Sequence, residues 1–585
     1  MSPSALAAGP LRLDYDAGDL RAIRLGDLEI VRRIYVAFQD RNWTARQWRI
    51  EEESIERGAD TFRIALRARG TFDASSFTWT AEITGDADGT IRYAIDGSTE
   101  TAFLRNRLGI CLLHPMAEFA GRQCTITTVS GETVETAFPD AISPHQPFLD
   151  ICCMDFPVAD GVTARLTFTG DVFETEDHRN WNDASYKTYC TPISRPFPVE
   201  VRPGDRVTQS VTLSLDGTAP EPIDLPDHVT IEISDEAVAL PRLGTQVGDL
   251  PWTDTEVEAI SDLGLDHFMA TIAAATADAA VELHAIIDIA ERTGARLRLR
   301  LVDGDDAHYA ALRGLVRSAP LDSLAVIRTD EKVTSAEAID QARRALGDDL
   351  PWCGGTDLYF TELNRQPPDT EGLSWVSFSL NPQVHAFDDR SVMQNAATGE
   401  AIARNAPRLA GDARIAVGPI SLRPRFNPNA TDPASDVSNT ALPSSVDARQ
   451  RTWFAAAWTA LSLRSLATPG TVDAVTYFEA VGWRGLRERE SGSADPVAFP
   501  TAPGEAFPVY ALVRELRDFD RLLPTRSDQP EVADALVVAT EERARAFVVN
   551  LSPVPVSIVL TGAASATIDA APQSLTVVDL DWSRS

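Results

Sequence analysis

Cysteine is thin in this chain: Cys111, Cys124, Cys152, Cys153, Cys190 and Cys353 are all it has over 585 residues, with no C-x-x-C pair. That spacing excludes a disulfide framework and a structural zinc site, and it fits a reducing compartment. Eight scattered histidines give no metal-ligand spacing either, so neither a metal nor another cofactor is expected. No run of 18 apolar residues occurs, which excludes a membrane-spanning helix. The opening "MSPSALAAGPLRLDY" has no basic segment leading into an apolar one, so the expectation is a cytoplasmic protein. Basic residues are outnumbered 53 to 86, a net charge of -33, so the surface repels polyanions and excludes nucleic acid and anionic membranes as partners. Also missing are G-x-S-x-G, H-E-x-x-H, G-x-x-x-x-G-K-[ST] and a G-x-G-x-x-G after a strand. Serine-hydrolase, zinc-peptidase, P-loop and dinucleotide chemistry lose their signatures with them.

What is present is a chain that is 44% hydrophobic and long enough for several cores. Up to about residue 224, short runs such as "LRLDYD", "TFRIALRARG" and "VTARLTFTG" alternate apolar and polar positions between Gly, Asp and Pro turns. That period predicts an N-terminal antiparallel β-sandwich, residues 1–224. A Pro- and acid-rich connection, "DGTAPEPIDLPDH", follows. Strands then alternate with helical stretches: "VTIEIS" at 229, "LDHFMA" at 265, "RLRLRLV" at 296, "SLAVIR" at 323, "WCGGTDLYF" at 352, "SWVSFSL" at 374, "RIAVGPISL" at 414 and "VDAVTYF" at 472. Eight such units predict a (β/α)8 TIM-type barrel over residues 225–524, irregular after strand five, where the gap holds no clear helix. Alternating strands return from 525 and predict a small C-terminal β-domain, residues 525–585.

Barrel enzymes carry their chemistry at the C-terminal ends of the strands. Two glutamates stand there: Glu362 in "YFTELNRQPP" after strand five, and Glu479 in "TYFEAVGWRG" at strand eight. Three strands apart, they can face each other across the mouth and divide acid from base or nucleophilic work. The plain alternative is a strand-end carboxylate held by Arg365 or by Arg484. Asn364, Asn381, His385, Arg423 and Trp483 fall in the same layer, with Gln383, Asp388, Arg425 and Asn427 beside them. Directional donors and acceptors with an aromatic face suit a polyhydroxylated ligand, so the expected partner is a small sugar lactone or glycoside. In the N-terminal region, Arg105, Asn106, Arg107 and His114 are candidates to line a cleft, or else to satisfy one another inside the sandwich.

"FLRNRLGICLLHP", "FETEDHRNWNDASYKTYCTP", "GGTDLYFTELNR", "SFSLNPQVHAFDD" and "TYFEAVGWRG" resemble the D-apionate lactonase family, in order and over most of the chain. The resemblance implies an N-terminal β-domain, a TIM-type barrel and a C-terminal β-domain, acting in apiose catabolism by opening D-apionolactone to D-apionate. It carries no catalytic assignment, so the roles of Glu362 and Glu479 rest on position. The layout is also similar to clan-A glycoside hydrolases, which makes a retaining glycosidase the alternative. Those enzymes usually place their glutamates after strands four and seven, whereas the count here gives five and eight.

The stretch "DVFETEDHRNWNDASYKTYCTPI" (171–193) is neither helical nor strand-like by period and holds more charge and aromatic surface than a turn needs. Two uses remain open for it. Trp181, Asp183, Lys187 and Arg179 can complete the ligand site, or the same groups can form an internal staple.

Overall fold

The computed structural model describes residues 4–72, 75–220, 228–429 and 441–582. The boundary expected near residue 224 lies outside the described residues. The chain divides into two compact units, one of residues 1–179, 184–225 and 427–435, the other of 180–183, 226–426 and 436–585.

In the first unit, period two does its ordinary work. Leu11–Asp16 buries Leu11, Leu13 and Tyr15 and turns the residues between them outward, and Val162–Thr169 repeats the pattern. Among the described residues, seventeen strands join into one antiparallel sheet network whose inward residues form a single core. Aromatic rings lock parts of it, as where Phe38 meets Phe103 edge-on at 5.5 Å. The stretch 171–193 is a correction. It forms a hairpin, Phe173–Asp177 against Ser185–Tyr189, with Glu174 opposite Tyr189 and a 3-10 turn at His178–Trp181. Both faces of this hairpin are buried, so its sequence shows no alternation to read. His114 is a core histidine: its Nε2 lies 2.9 Å from Thr188 Oγ1, and burial takes its pKa down to about 3, which keeps it neutral.

The second unit contains a closed parallel barrel. Its strands are β1 (Arg242–Gln246), β2 (His267–Ala273), β3 (Arg296–Val302), β4 (Leu321–Ile327), β5 (Trp352–Tyr359), β6 (Trp375–Leu380), β7 (Arg414–Ile420) and β8 (Ala474–Val481). Pairing of β1 with β8 closes the ring. Helices fill the crossovers with clear start signals: Thr253 caps Asp254–Ser261 in a capping box with Glu256, and Ser335 caps Ala336–Leu346. The helix Trp453–Ala467 is apolar nearly all round and is buried nearly all round. A six-residue helix, Phe360–Arg365, occupies the gap after β5 where none was expected.

The strand at 229 is the second correction. His228–Ile233 lies outside the barrel and pairs with Val556–Gly562 and Thr525–Ser527 in a four-stranded sheet. Its alternation, with Val229, Ile231 and Ile233 inward and Glu232 exposed, marks a strand buried on one face, whereas barrel strands are buried on both. A five-stranded sheet, including Ala533–Ala539 and Ala544–Asn550, shares its core. The true first barrel strand, "RLGTQ", is short and carries a glycine. A Cβ at Gly244 would sit 2.3 Å from His267 Nε2, so only glycine lets β1 reach β2. One strand leaves the count and another enters, so Glu362 and Glu479 keep their places after strand five and in strand eight.

At the N-terminal ends of the barrel strands, Asp322 accepts from Arg242 Nη1 and Arg298 Nη1, both at 2.9 Å. Trp375 lies under Arg242, Arg298 and Arg414 at 5.0, 4.3 and 4.0 Å from its ring centroid. Burial alone would raise the Asp322 carboxyl, but the Arg242 hydrogen bond and the Arg298 charge hold it below its ordinary range. Asp322→Asn strips the buried Arg298 of its counter-charge and is expected to cost about 3 to 5 kcal/mol in denaturant unfolding, with kinetic constants of the folded enzyme unchanged. A depressed carboxyl stabilises above its unfolded pKa of about 3.9 and loses that contribution as pH falls, so the gap between variant and parent narrows in acid.

Candidate active site

The C-terminal mouth of the barrel is assembled strand by strand. Gln246 at the end of β1 pairs in register with Glu479 of β8. Just before Glu479, Phe478 holds φ 55°, a left-handed value that a bulky residue rarely adopts, and its carbonyl accepts from Thr245 Oγ1 at 3.1 Å. Such a residue costs on the order of 1 to 3 kcal/mol and persists where its surroundings enforce it, commonly at functional sites. Gly248 has φ 68°, and a Cβ there would meet Glu479 Oε2 at 3.2 Å, so the backbone passes directly against the carboxylate. Arg484 Nε donates to Glu479 Oε1 at 2.8 Å. Burial raises the Glu479 carboxyl against the opposing pull of Arg484, which favours its carrying a proton.

Glu479 and Arg484 share a narrow cleft with Gln246, Arg423, Arg425 and Asp447, enclosing about 20 Å³ of open space, room for a water. Arg425 Nη2 donates to Asp357 Oδ1 of β5 at 2.6 Å, and Arg300 of β3 pairs with the same oxygen. Two guanidinium groups therefore share one carboxylate. Burial brings Arg425 down to about 10, with Tyr359 and Glu479 pulling the other way. Arg423 Nε donates to Asp447 Oδ2 at 3.3 Å. Asp447 also accepts from Gln383 Nε2 and Arg449 Nη2, each at 2.7 Å. Burial would raise Asp447, but Arg449 holds it well below the usual carboxylate range.

Glu362 sits on the short helix after β5, 5% exposed. Its partner is neither Arg365 nor Arg484. Lys332, in the loop after β4, donates from Nζ to Glu362 Oε1 at 3.1 Å. Arg365 instead lies 5.3 Å over the Trp181 ring. Asn364 Nδ2 donates to Asn180 Oδ1 at 2.9 Å, while Arg408 donates to Asn364 Oδ1. Asn381 hydrogen-bonds the side chain of Tyr359 and accepts from Gln383 N at 3.1 Å. His385 Nδ1 lies 2.6 Å from Asp183 Oδ2. Trp181 meets His385 at 6.1 Å and Tyr359 at 6.3 Å, both edge-on.

The structure thus collects Glu479 and Arg423 in one cleft, and Trp181, Asp183 and His385 in one cluster with Tyr359. Glu362 and Asn364 share one short helix, and Trp483 lies in the turn that follows β8. Lys187 and Arg179 belong to the first unit. There Lys187 lies 5.1 Å from the Tyr189 ring centroid, and Arg179 is fully buried, paired with Asp177 Oδ2 at 2.7 Å and donating to the carbonyls of Pro139 and Asp140. Lys332, Arg300 and Asp357 were not among the expected site residues. For Lys332 a signal existed: Lys187 and Lys332 are the only lysines in the chain. A sequence that uses arginine almost everywhere keeps an ammonium here, a compact and mobile charge that a guanidinium does not replace.

The N-terminal domain of D-apionate lactonase matches residues 1–218, and the TIM barrel domain of D-apionate lactonase matches residues 242–521. The chain belongs to the D-apionate lactonase family. A D-apionate lactonase of Brucella anthropi is 27% identical, over 97% of this chain and 95% of that protein. The family makes the protein a hydrolase that acts on lactones. Among solved structures, a family 30 subfamily 8 xylanase of Clostridium acetobutylicum aligns at 12% identity and a TM-score of 0.38, over 60% of this chain and 97% of its own. A beta-arabinopyranosidase aligns at 9% identity and a TM-score of 0.29, over 99% and 98%. Among the described residues no helix is long and apolar enough to cross a membrane.

Lys332 is half-exposed, 51% for its side chain, but its partner Glu362 is buried, so removing the ammonium leaves a buried carboxylate without its counter-charge. Lys332→Met is expected to lower kcat at least about tenfold in the folded enzyme and to lower the melting temperature as well, and Lys332→Arg is expected to recover only part of the loss in kcat.

Proposed function

We propose that the protein opens D-apionolactone to D-apionate in apiose catabolism, with the reaction at the C-terminal mouth of the barrel. The observation that carries this reading is the cationic lining beside a buried carboxyl: Arg425, Arg423 and Arg484 share the cleft of Glu479. Attack on a lactone carbonyl puts negative charge on oxygen, and fixed guanidinium groups stabilise it most effectively where water is excluded. Glycoside cleavage instead develops positive charge at the sugar ring, which the same lining opposes. The retaining-glycosidase alternative loses further ground at β7, whose end, "SLRPR", offers arginines where that chemistry places a carboxylate.

In this reading Glu362 and Glu479 are the catalytic carboxylates. Glu479, its proton favoured by burial, protonates the ring oxygen as the carbon–oxygen bond breaks. Glu362 holds the Lys332 ammonium toward the carbonyl oxygen, where it adds to the clamp of Arg425 and Arg300. Asn364, Asn381, Arg423, Trp181 and Trp483 offer hydroxyl partners and aromatic faces, and Asp183 and His385 complete the residues assigned to substrate and its surroundings.

Incubation with a panel of aldonolactones and aryl pentosides, followed by acid release, tests the reading: lactones are expected to be consumed and pentosides left intact, and the reverse would sink it. Glu362→Gln and Glu479→Gln are each expected to lower kcat at least about a hundredfold without loss of folding. Exhaustive dialysis against a chelator is expected to leave the rate unchanged.

A further inference from the structure

Adding water to a carbonyl needs a base as well as an acid. Glu362 is poorly disposed to act as that base, because Lys332 Nζ already occupies its Oε1 at 3.1 Å. Glu479 is engaged by Arg484 and serves the other half of the reaction. A third titratable group in the second unit is built differently. His385 Nδ1 lies 2.6 Å from Asp183 Oδ2, and Asp183 Oδ1 accepts from Asn395 Nδ2 at 3.0 Å. Asn395 Nδ2 also donates to the Pro382 carbonyl at 2.9 Å, which ties the carboxylate's holder to the same β6 loop that carries the histidine. Asp183 is 5% exposed, Asn182 before it takes φ 67°, and the Trp181 ring stands edge-on to the imidazole. The Asp183 hydrogen bond and the Trp181 contact act on the ring itself, and Asn395 holds the carboxylate that makes that bond. Fourteen per cent of the His385 side chain still reaches solvent.

We propose that His385, held in one tautomer by Asp183, is the base that activates the hydrolytic water, an assignment that rests on the lactonase reading above. A carboxylate at Nδ1 keeps the ring proton there and leaves the lone pair on Nε2. Nε2 takes a proton from water as the water oxygen bonds to the carbonyl carbon, and the carbonyl π electrons move onto oxygen. The oxyanion then re-forms the carbonyl, the ring carbon–oxygen bond breaks, and Glu479 protonates the departing oxygen. The imidazolium returns its proton to Glu479 through solvent, and the new carboxylic acid ionises. Lactone and water are thereby converted to hydroxycarboxylate and one proton. Asp183 is a positioning residue, acting through the ring.

The test compares two nucleophiles in the same enzyme. His385→Gln is expected to lose at least about a hundredfold in kcat for hydrolysis, yet to open the lactone with hydroxylamine, which attacks as the neutral amine and gives up its proton to solvent afterwards, at a rate within about tenfold of the parent. Asp183→Asn is expected to lower hydrolysis at least about tenfold with KM changed less than threefold, and again to spare the hydroxylamine reaction. Hydrolysis retained in His385→Gln overturns the assignment, and so does loss of both reactions together. If the variant does not fold, nitrogen NMR of the wild-type imidazole decides: in the neutral ring a proton on Nδ1 and none on Nε2 is expected, and the opposite tautomer overturns it. Chelation that abolishes activity, with recovery on adding a divalent ion, also overturns it, by making the pair ligands. A wild-type enzyme that turns over no lactone defeats the lactonase reading itself, whereas a failure confined to the His385 and Asp183 variants defeats only the base.

Discussion

A barrel exists only if its first strand meets its last, and here that closure depends on five residues. Arg242–Gln246 pairs with Ala474–Glu479 on one side and with His267–Met269 on the other. The register slips between Gly244 and Gln246, bringing Gln246 opposite Glu479. A strand so short has few hydrogen bonds to give, and it succeeds because Gly244 allows close approach, Thr245 ties itself to the Phe478 carbonyl, and Asp322 below draws Arg242 inward. The position of Glu479 is therefore a product of closure. Its carboxylate projects from a strand kinked at Phe478, against a backbone that only Gly248 allows so near.

From that point charge sets the arrangement. The protein as a whole is strongly acidic, yet the mouth gathers Arg300, Arg423, Arg425, Arg484 and Lys332. Each is held by a carboxylate, because an isolated buried cation would cost several kcal/mol. The sharing is uneven around Asp357, which serves both Arg300 and Arg425. Burial lowers the Arg300 and Arg425 guanidinium groups from their ordinary range, and the shared carboxylate of Asp357 offsets part of that cost. The ammonium of Lys332 differs in kind, being half-exposed and on a flexible stem.

Much of this was legible in the sequence, and the failures have physical reasons. The barrel, the N-terminal antiparallel sheet and the small C-terminal sheets follow from periods of two and of helical spacing. His228–Ile233 was mistaken for a barrel strand because a count of apolar runs ignores whether one face or both are buried. Arg242–Gln246 was missed because glycine and short length are strand-negative signals, overridden here by packing against His267. Glu479 with Arg484 could be read from local spacing. Lys332 with Glu362 could not, since thirty residues separate them and the pairing exists only once β4 and β5 lie side by side.

The stretch around Trp181 shows why one motif resisted a single role. Its flanks are structural: Arg179 binds Asp177 and the Pro139 and Asp140 carbonyls, and Tyr186 donates to Pro139 O as well. Its four central residues, 180–183, group with the barrel unit. Asn180 accepts from Asn364, Trp181 meets Tyr359 and His385, and Asp183 meets His385 and Asn395. The two uses weighed for the stretch therefore fall on different residues. A charged side chain whose partners lie within the hairpin, as with Arg179, fixes the local backbone. One whose partners come from the β6 loop, as with Asp183, fixes the histidine that loop presents. The density of acids, bases and aromatics over so few residues follows from that division, because two separate sets of partners must be satisfied within one short stretch, and a buried charge left without its partner costs several kcal/mol.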